Sequence, residues 1–86
     1  MGPRLPPPGK RIQTMAEWPE WWKVEWALFK VEKDINKRRQ QWDAWSREFK
    51  TCAIKTAGGW RRDELIMWQR QDLEAAARAD AAISRA

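Results

Sequence analysis

The amino-acid sequence predicts an all-α protein built as an antiparallel two-helix hairpin, and three observations carry that expectation. Every proline and glycine falls within the first nine residues, at Pro19, or at the pair Gly58-Gly59. Apolar residues recur at alternating spacings of three and four between Trp21 and Cys52, and the last third of the chain is alanine-rich and free of helix breakers.

The chain opens on a basic, Pro-rich tail, expected over residues 1–17, whose first sixteen residues carry Arg4, Lys10 and Arg11 and no acid. Its run Pro6-Pro7-Pro8 favours an extended polyproline conformation, suited to a disordered arm or to a strap across another surface. Met15 reads as an alternative start, because the residues after it form a self-sufficient helical unit.

The rest, residues 18–86, reads as the hairpin. Thr14 and Glu17 have capping-box spacing, and Pro19 suits a first helical turn and nothing deeper. Without a proline or glycine up to Thr56, helix 1 is expected over about 19–56. A turn at 57–59 comes next, with Gly58 as a left-handed cap. Helix 2 is expected over about 60–84, its first turn favoured by Asp63 and Glu64 at the positive end of the helix dipole.

Trp21, Val24, Leu28, Val31, Ile35, Trp42, Trp45, Phe49 and Cys52 line one side of helix 1, interrupted by Arg38. That regularity predicts a coiled-coil-like seam closing the hairpin. Leu65, Ile66, Trp68, Leu73, Ala76 and Ile83 supply the opposing face, where small alanines accept bulky tryptophans.

A helix of about 38 residues spans roughly 57 Å and one of about 25 residues roughly 37 Å. The first therefore overhangs the second, by roughly its first twelve residues. At about 100° per residue, Trp18, Trp22, Trp26 and Phe29 form a second stripe opposite the seam. One hairpin partner cannot bury both. These four residues are accordingly the expected partner-binding face, covered by another protein, by a second copy in a completed bundle, or by the Pro-rich tail folded back over them.

The net charge of +5 is unevenly spread: +3 over residues 1–16, −2 over 17–32, +6 over 33–62 and −2 over 63–86. Lys33, Lys37, Arg39, Arg47, Lys50, Lys55, Arg61 and Arg62 are candidate contacts to nucleic acid, extending the aromatic stripe as in single-strand binders. Acid–base spacings of four, such as Arg39 to Asp43, fit a solvated helix face, which is the commoner meaning of a charge run. The tryptophan-rich segment is net acidic, which argues against a membrane surface.

The chain has no histidine and a single cysteine. That removes the commonest general base, every Ser/His or Cys/His nucleophile, a credible zinc ligand set and an internal disulfide. No enzyme activity, cofactor, metal or small-molecule substrate is expected. Nothing resembles a secretory leader or a membrane span, and the lone Cys52 fits a reducing interior such as cytoplasm, virion or organelle rather than secretion. The expected function is a non-catalytic adaptor or assembly subunit, in the manner of a phage structural protein or a small supernumerary subunit, docking through its tryptophan-rich end. A small nucleic-acid-binding regulator is the second expectation.

Overall fold

A computed structural model of the chain describes residues 14–85. Most of the expected tail, residues 1–13, lies outside them. Among the described residues every regular element is helical and there is no strand. After a 3-10 turn at Met15–Glu17 come α1 (Glu20–Val31), α2 (Ile35–Ala44), α3 (Arg47–Thr56) and α4 (Gly59–Arg85). The chain divides into two compact units, with the boundary between Thr56 and Ala57.

Thr14 and Glu17 do meet, but side chain to side chain: the Thr14 hydroxyl donates to Glu17 Oε1 at 3.1 Å. They close a single turn, with the Glu17 amide on the Thr14 carbonyl at 3.0 Å. Pro19, whose ψ of 149° is extended, then stands just before α1 as its N-cap. Its carbonyl accepts the Trp22 amide at 3.0 Å.

The single long helix expected over 19–56 is replaced by three helices of 12, 10 and 10 residues. Neither break uses proline or glycine. At the first, the Asp34 carboxylate takes the Asn36 amide at 2.8 Å and so caps α2. The Glu32 carboxylate takes the Asp34 amide at 3.1 Å. Arg38 reaches back from α2 to donate to the carbonyls of Glu32 and Lys33, at 3.0 and 2.9 Å. At the second break, the Ser46 hydroxyl accepts the Phe49 amide at 3.1 Å and caps α3. Groups that a chain reversal strips of helical partners thus find side-chain partners, which removes most of its cost.

Burial drives the bending. A straight rod would spread its aromatic rings along tens of ångströms; folded twice, it gathers them. Trp18, Trp22, Trp26 and Phe29 meet Trp45 and Phe49, Trp42 lies against Trp45, and all seven are at most 4% exposed. Trp22 stacks on Phe49 at 4.9 Å between centroids, Trp26 on Phe29 at 5.5 Å, and Trp45 on Phe49 at 4.3 Å. Trp18 approaches Trp22 and Phe49 edge-on at 5.8 and 5.6 Å. Each buried ring is worth about 2–3 kcal/mol of transfer free energy, with about 0.5–1.5 kcal/mol more for a well-oriented pair.

The second unit is α4 with its short lead-in. Gly59, not Gly58, adopts the left-handed conformation, at φ +60°. That correction is one of register: the freedom only glycine supplies is needed one residue later than expected. Leu65 and Trp68 are buried, whereas Leu73, Ala76 and Ile83 of the expected helix 2 face are exposed and Ile66 is half-buried.

Candidate docking surface

The two stripes of α1 have exchanged the environments expected of them. Trp18, Trp22, Trp26 and Phe29, expected to meet a partner, form the inside of the three-helix unit. The seam divides in two: Trp42, Trp45, Phe49 and Cys52 are buried, but Trp21, Val24, Leu28, Val31 and Ile35 are 50–73% exposed. The physical reason is the pair of breaks. Once α2 and α3 turn back, they cover the face of α1 that can bring the most ring area together, and the aliphatic face is left outside.

Trp21 ties the exposed stripe to the core. Its ring packs edge-on against Phe49 at 5.6 Å and against Trp22 at 6.2 Å, while half its surface meets water. Val24, Leu28 and Val31 continue along the helix at spacings of three and four, and Ile35, exposed as well, opens α2 after the corner. The helix holds this row on a supported surface, so its side chains need little reorganisation to receive another body.

The edges of the row differ. At about 100° per residue, Glu25 and Glu32 flank one side, and Glu20 and Ala27 the other, with Lys23 and Lys30 further round. Glu20 is 3.8 Å from Lys23. Glu25 also accepts the Trp45 indole N–H at 3.4 Å, which fixes its carboxylate beside the row.

The cations named as nucleic-acid contacts lie on several elements and differ in their surroundings. Arg39 is held by Asp43 at 3.1 Å, the acid–base pair expected from their spacing. Lys50 lies over the Trp42 ring at 4.9 Å, and Arg61 over Trp60 at 4.7 Å. Lys33, Lys37, Arg47, Lys55 and Arg62 are exposed, distributed over the α1–α2 corner, α2, α3 and α4.

Cys52 is buried, and its thiol is pushed up from the ordinary range, first by burial and then by the nearby Glu48, with Lys55 opposing. A thiol held protonated is a poor nucleophile. It serves as a small apolar residue of α3. Among the described residues no three side chains of the histidine, cysteine, aspartate and glutamate kind are placed to hold a metal ion, and no helix is long and apolar enough to cross a membrane.

Arg38 is the residue whose role the periodicity conceals. It interrupts the apolar pattern because its guanidinium is needed inside, 7% exposed, to hold the α1–α2 corner.

Comparison with known proteins returns no match: no family model, no curated relative and no solved structure aligns with the chain. Surface and chemistry alone therefore carry the functional reading.

Proposed function

We propose that the protein is a non-catalytic interaction or assembly subunit that docks another protein through the outward row Trp21, Val24, Leu28, Val31 and Ile35. One observation carries the reading. A compact unit that buries seven aromatic side chains almost completely nevertheless leaves four large apolar ones, Trp21, Val24, Leu28 and Val31, exposed along one side of α1, with Ile35 exposed at the start of α2. Scattered exposed apolar residues need no explanation, but a contiguous row on a braced helix is the usual mark of an interface. A half-exposed tryptophan anchored at one end is the residue type that dominates such interfaces. Docking at this row would complete a helical bundle around α1 from outside. The lone, buried Cys52 supports placing this role in a reducing compartment.

The test is site-specific photo-cross-linking in the native cells, with the cross-linker at Leu28 and, as a control, at exposed Thr51 on α3. One discrete protein adduct is expected from position 28, lost when Val24→Glu is added, and none from position 51. Equal labelling from both positions, or none from either, ends the proposal. A nucleic-acid-binding role takes its support from exposed Lys33, Lys37, Arg47, Lys55 and Arg62. It stands second because these spread over several elements, and its mark is affinity that falls steeply with salt.

A further inference from the structure

We infer that the occupant of the α1 row is an amphipathic helix with basic flanks, rather than a second copy of this chain. The inference rests on the docking role proposed above and adds the chemistry of the partner.

Size is the first consideration. The five side chains, each half exposed or more, present on the order of 500 Å², within the range of functional patches and short of the roughly 800 Å² that each partner gives to a stable interface of standard size. α1 has 12 residues, about 18 Å at 1.5 Å per residue. The row therefore suits one added helix of three or four turns laid along α1, its apolar stripe interleaved with the residues at spacings of three and four.

Charge then chooses between occupants. Two copies of α1 packed antiparallel would set the Glu25 and Glu32 edge of one against the same edge of the other, four carboxylates facing each other. Packed parallel, Glu20 would face the partner copy's Glu25, twice by symmetry. Neither arrangement brings a cation to the edge, because Lys23 and Lys30 lie further round the helix and Lys23 is beside Glu20 at 3.8 Å. Flanking positions set partner choice in helix pairs, and like charges there are repulsive. Lysine or arginine on the incoming helix opposite Glu25 and Glu32 removes the conflict. The Glu25 carboxylate is already steadied by the Trp45 indole and the Glu32 carboxylate by the Asp34 amide, so neither has much freedom to lose on pairing.

The experiment uses the full chain and two synthetic helical peptides. Both carry leucine and isoleucine on one stripe; one has lysine and its twin glutamate at every flanking position. Fluorescence anisotropy is read at low and moderate salt. The lysine peptide is expected to bind about tenfold more tightly, from two attractive pairs exchanged for two repulsive ones, with the gap closing as salt rises. The whole chain carries +5, so unspecific attraction would favour the glutamate twin; preference for the lysine peptide reports the local edge. Combined Glu25→Gln and Glu32→Gln keep an oxygen for the Trp45 and Asp34 N–H groups, and should abolish the preference while retaining binding. Equal affinities, or a preference for the glutamate twin, overturn the inference and leave the docking role standing. If neither peptide binds and Leu28→Glu changes nothing, both fall. A dimer at micromolar concentration that Leu28→Glu dissociates assigns the row to a second copy and overturns the inference.

Discussion

Trp22, Trp26 and Phe29 on one face of α1, and Trp21, Val24, Leu28 and Val31 on the other, are comparably apolar, yet the first set is at most 4% exposed and the second half exposed or more. Hydrophobicity alone does not separate them. Ring area does, together with the direction in which α2 and α3 return. The face carrying three aromatic rings offers stacking partners for Trp45 and Phe49, and the face rich in valine and leucine has only one ring to offer. An amphipathic helix with two apolar faces thus commits its richer face to folding and keeps the other for encounter.

The strongest way to break this comparison is to truncate one residue on each face. Trp26→Ala should cost about 3–5 kcal/mol, the usual range for emptying a large buried aromatic site, and against the few kcal/mol of a small unit it should leave the chain largely unfolded at 25 °C. Leu28→Ala should cost less than about 1 kcal/mol, since its side chain already meets water. Chemical denaturation monitored by far-ultraviolet circular dichroism reads both. Comparable losses at the two positions would show that the Leu28 face is also packed in solution, and the docking row would no longer be a free surface.

How far this was legible in the sequence depends on the same contrast. Helical class and a helix start beside Pro19 can be read from periodicity and from the placement of prolines and glycines. So can the existence of two apolar stripes on α1. Which stripe faces inward cannot, because that depends on where the chain turns back, and the turns at residues 32–34 and 45–46 contain no proline or glycine. The signal present was subtler. Asp34 before Ile35-Asn36, and Ser46 three residues before Phe49, are ordinary N-cap residues that also occur inside helices. Reading Arg38 as an interruption, and not as a group with carbonyls to satisfy, hid the same corner.

Arg38 gives the next largest effect and sharpens the claim that the first corner is what sends the aromatic face inward. Arg38→Met keeps much of the buried stem and removes the guanidinium that holds the Glu32 and Lys33 carbonyls. Leaving such acceptors unpaired in a part-buried corner costs about 1–3 kcal/mol. If the corner directs the exchange of faces, the variant should also raise the exposure of Trp26 and Trp45, seen as a red shift and stronger acrylamide quenching of tryptophan emission before the unfolding transition. Lost stability with unchanged emission would separate the corner from the choice of face.

The smallest effects belong to the two caps, and they test whether each break is locally encoded or imposed by the core. Removing an N-cap oxygen costs about 0.5–2 kcal/mol, so Asp34→Ala and Ser46→Ala should each lower stability by about 1 kcal/mol. Alanine is also the best helix former, so each substitution simultaneously favours running one helix into the next. A continuous helix would drag Trp42, Trp45 and Phe49 away from Trp22, Trp26 and Phe29, and the stacking lost in doing so exceeds anything alanine contributes locally. Helix content measured by circular dichroism should therefore stay constant while the melting temperature falls by a few degrees. A rise in helicity with either variant would mean that the cap, and not the aromatic core, is what keeps α1, α2 and α3 apart.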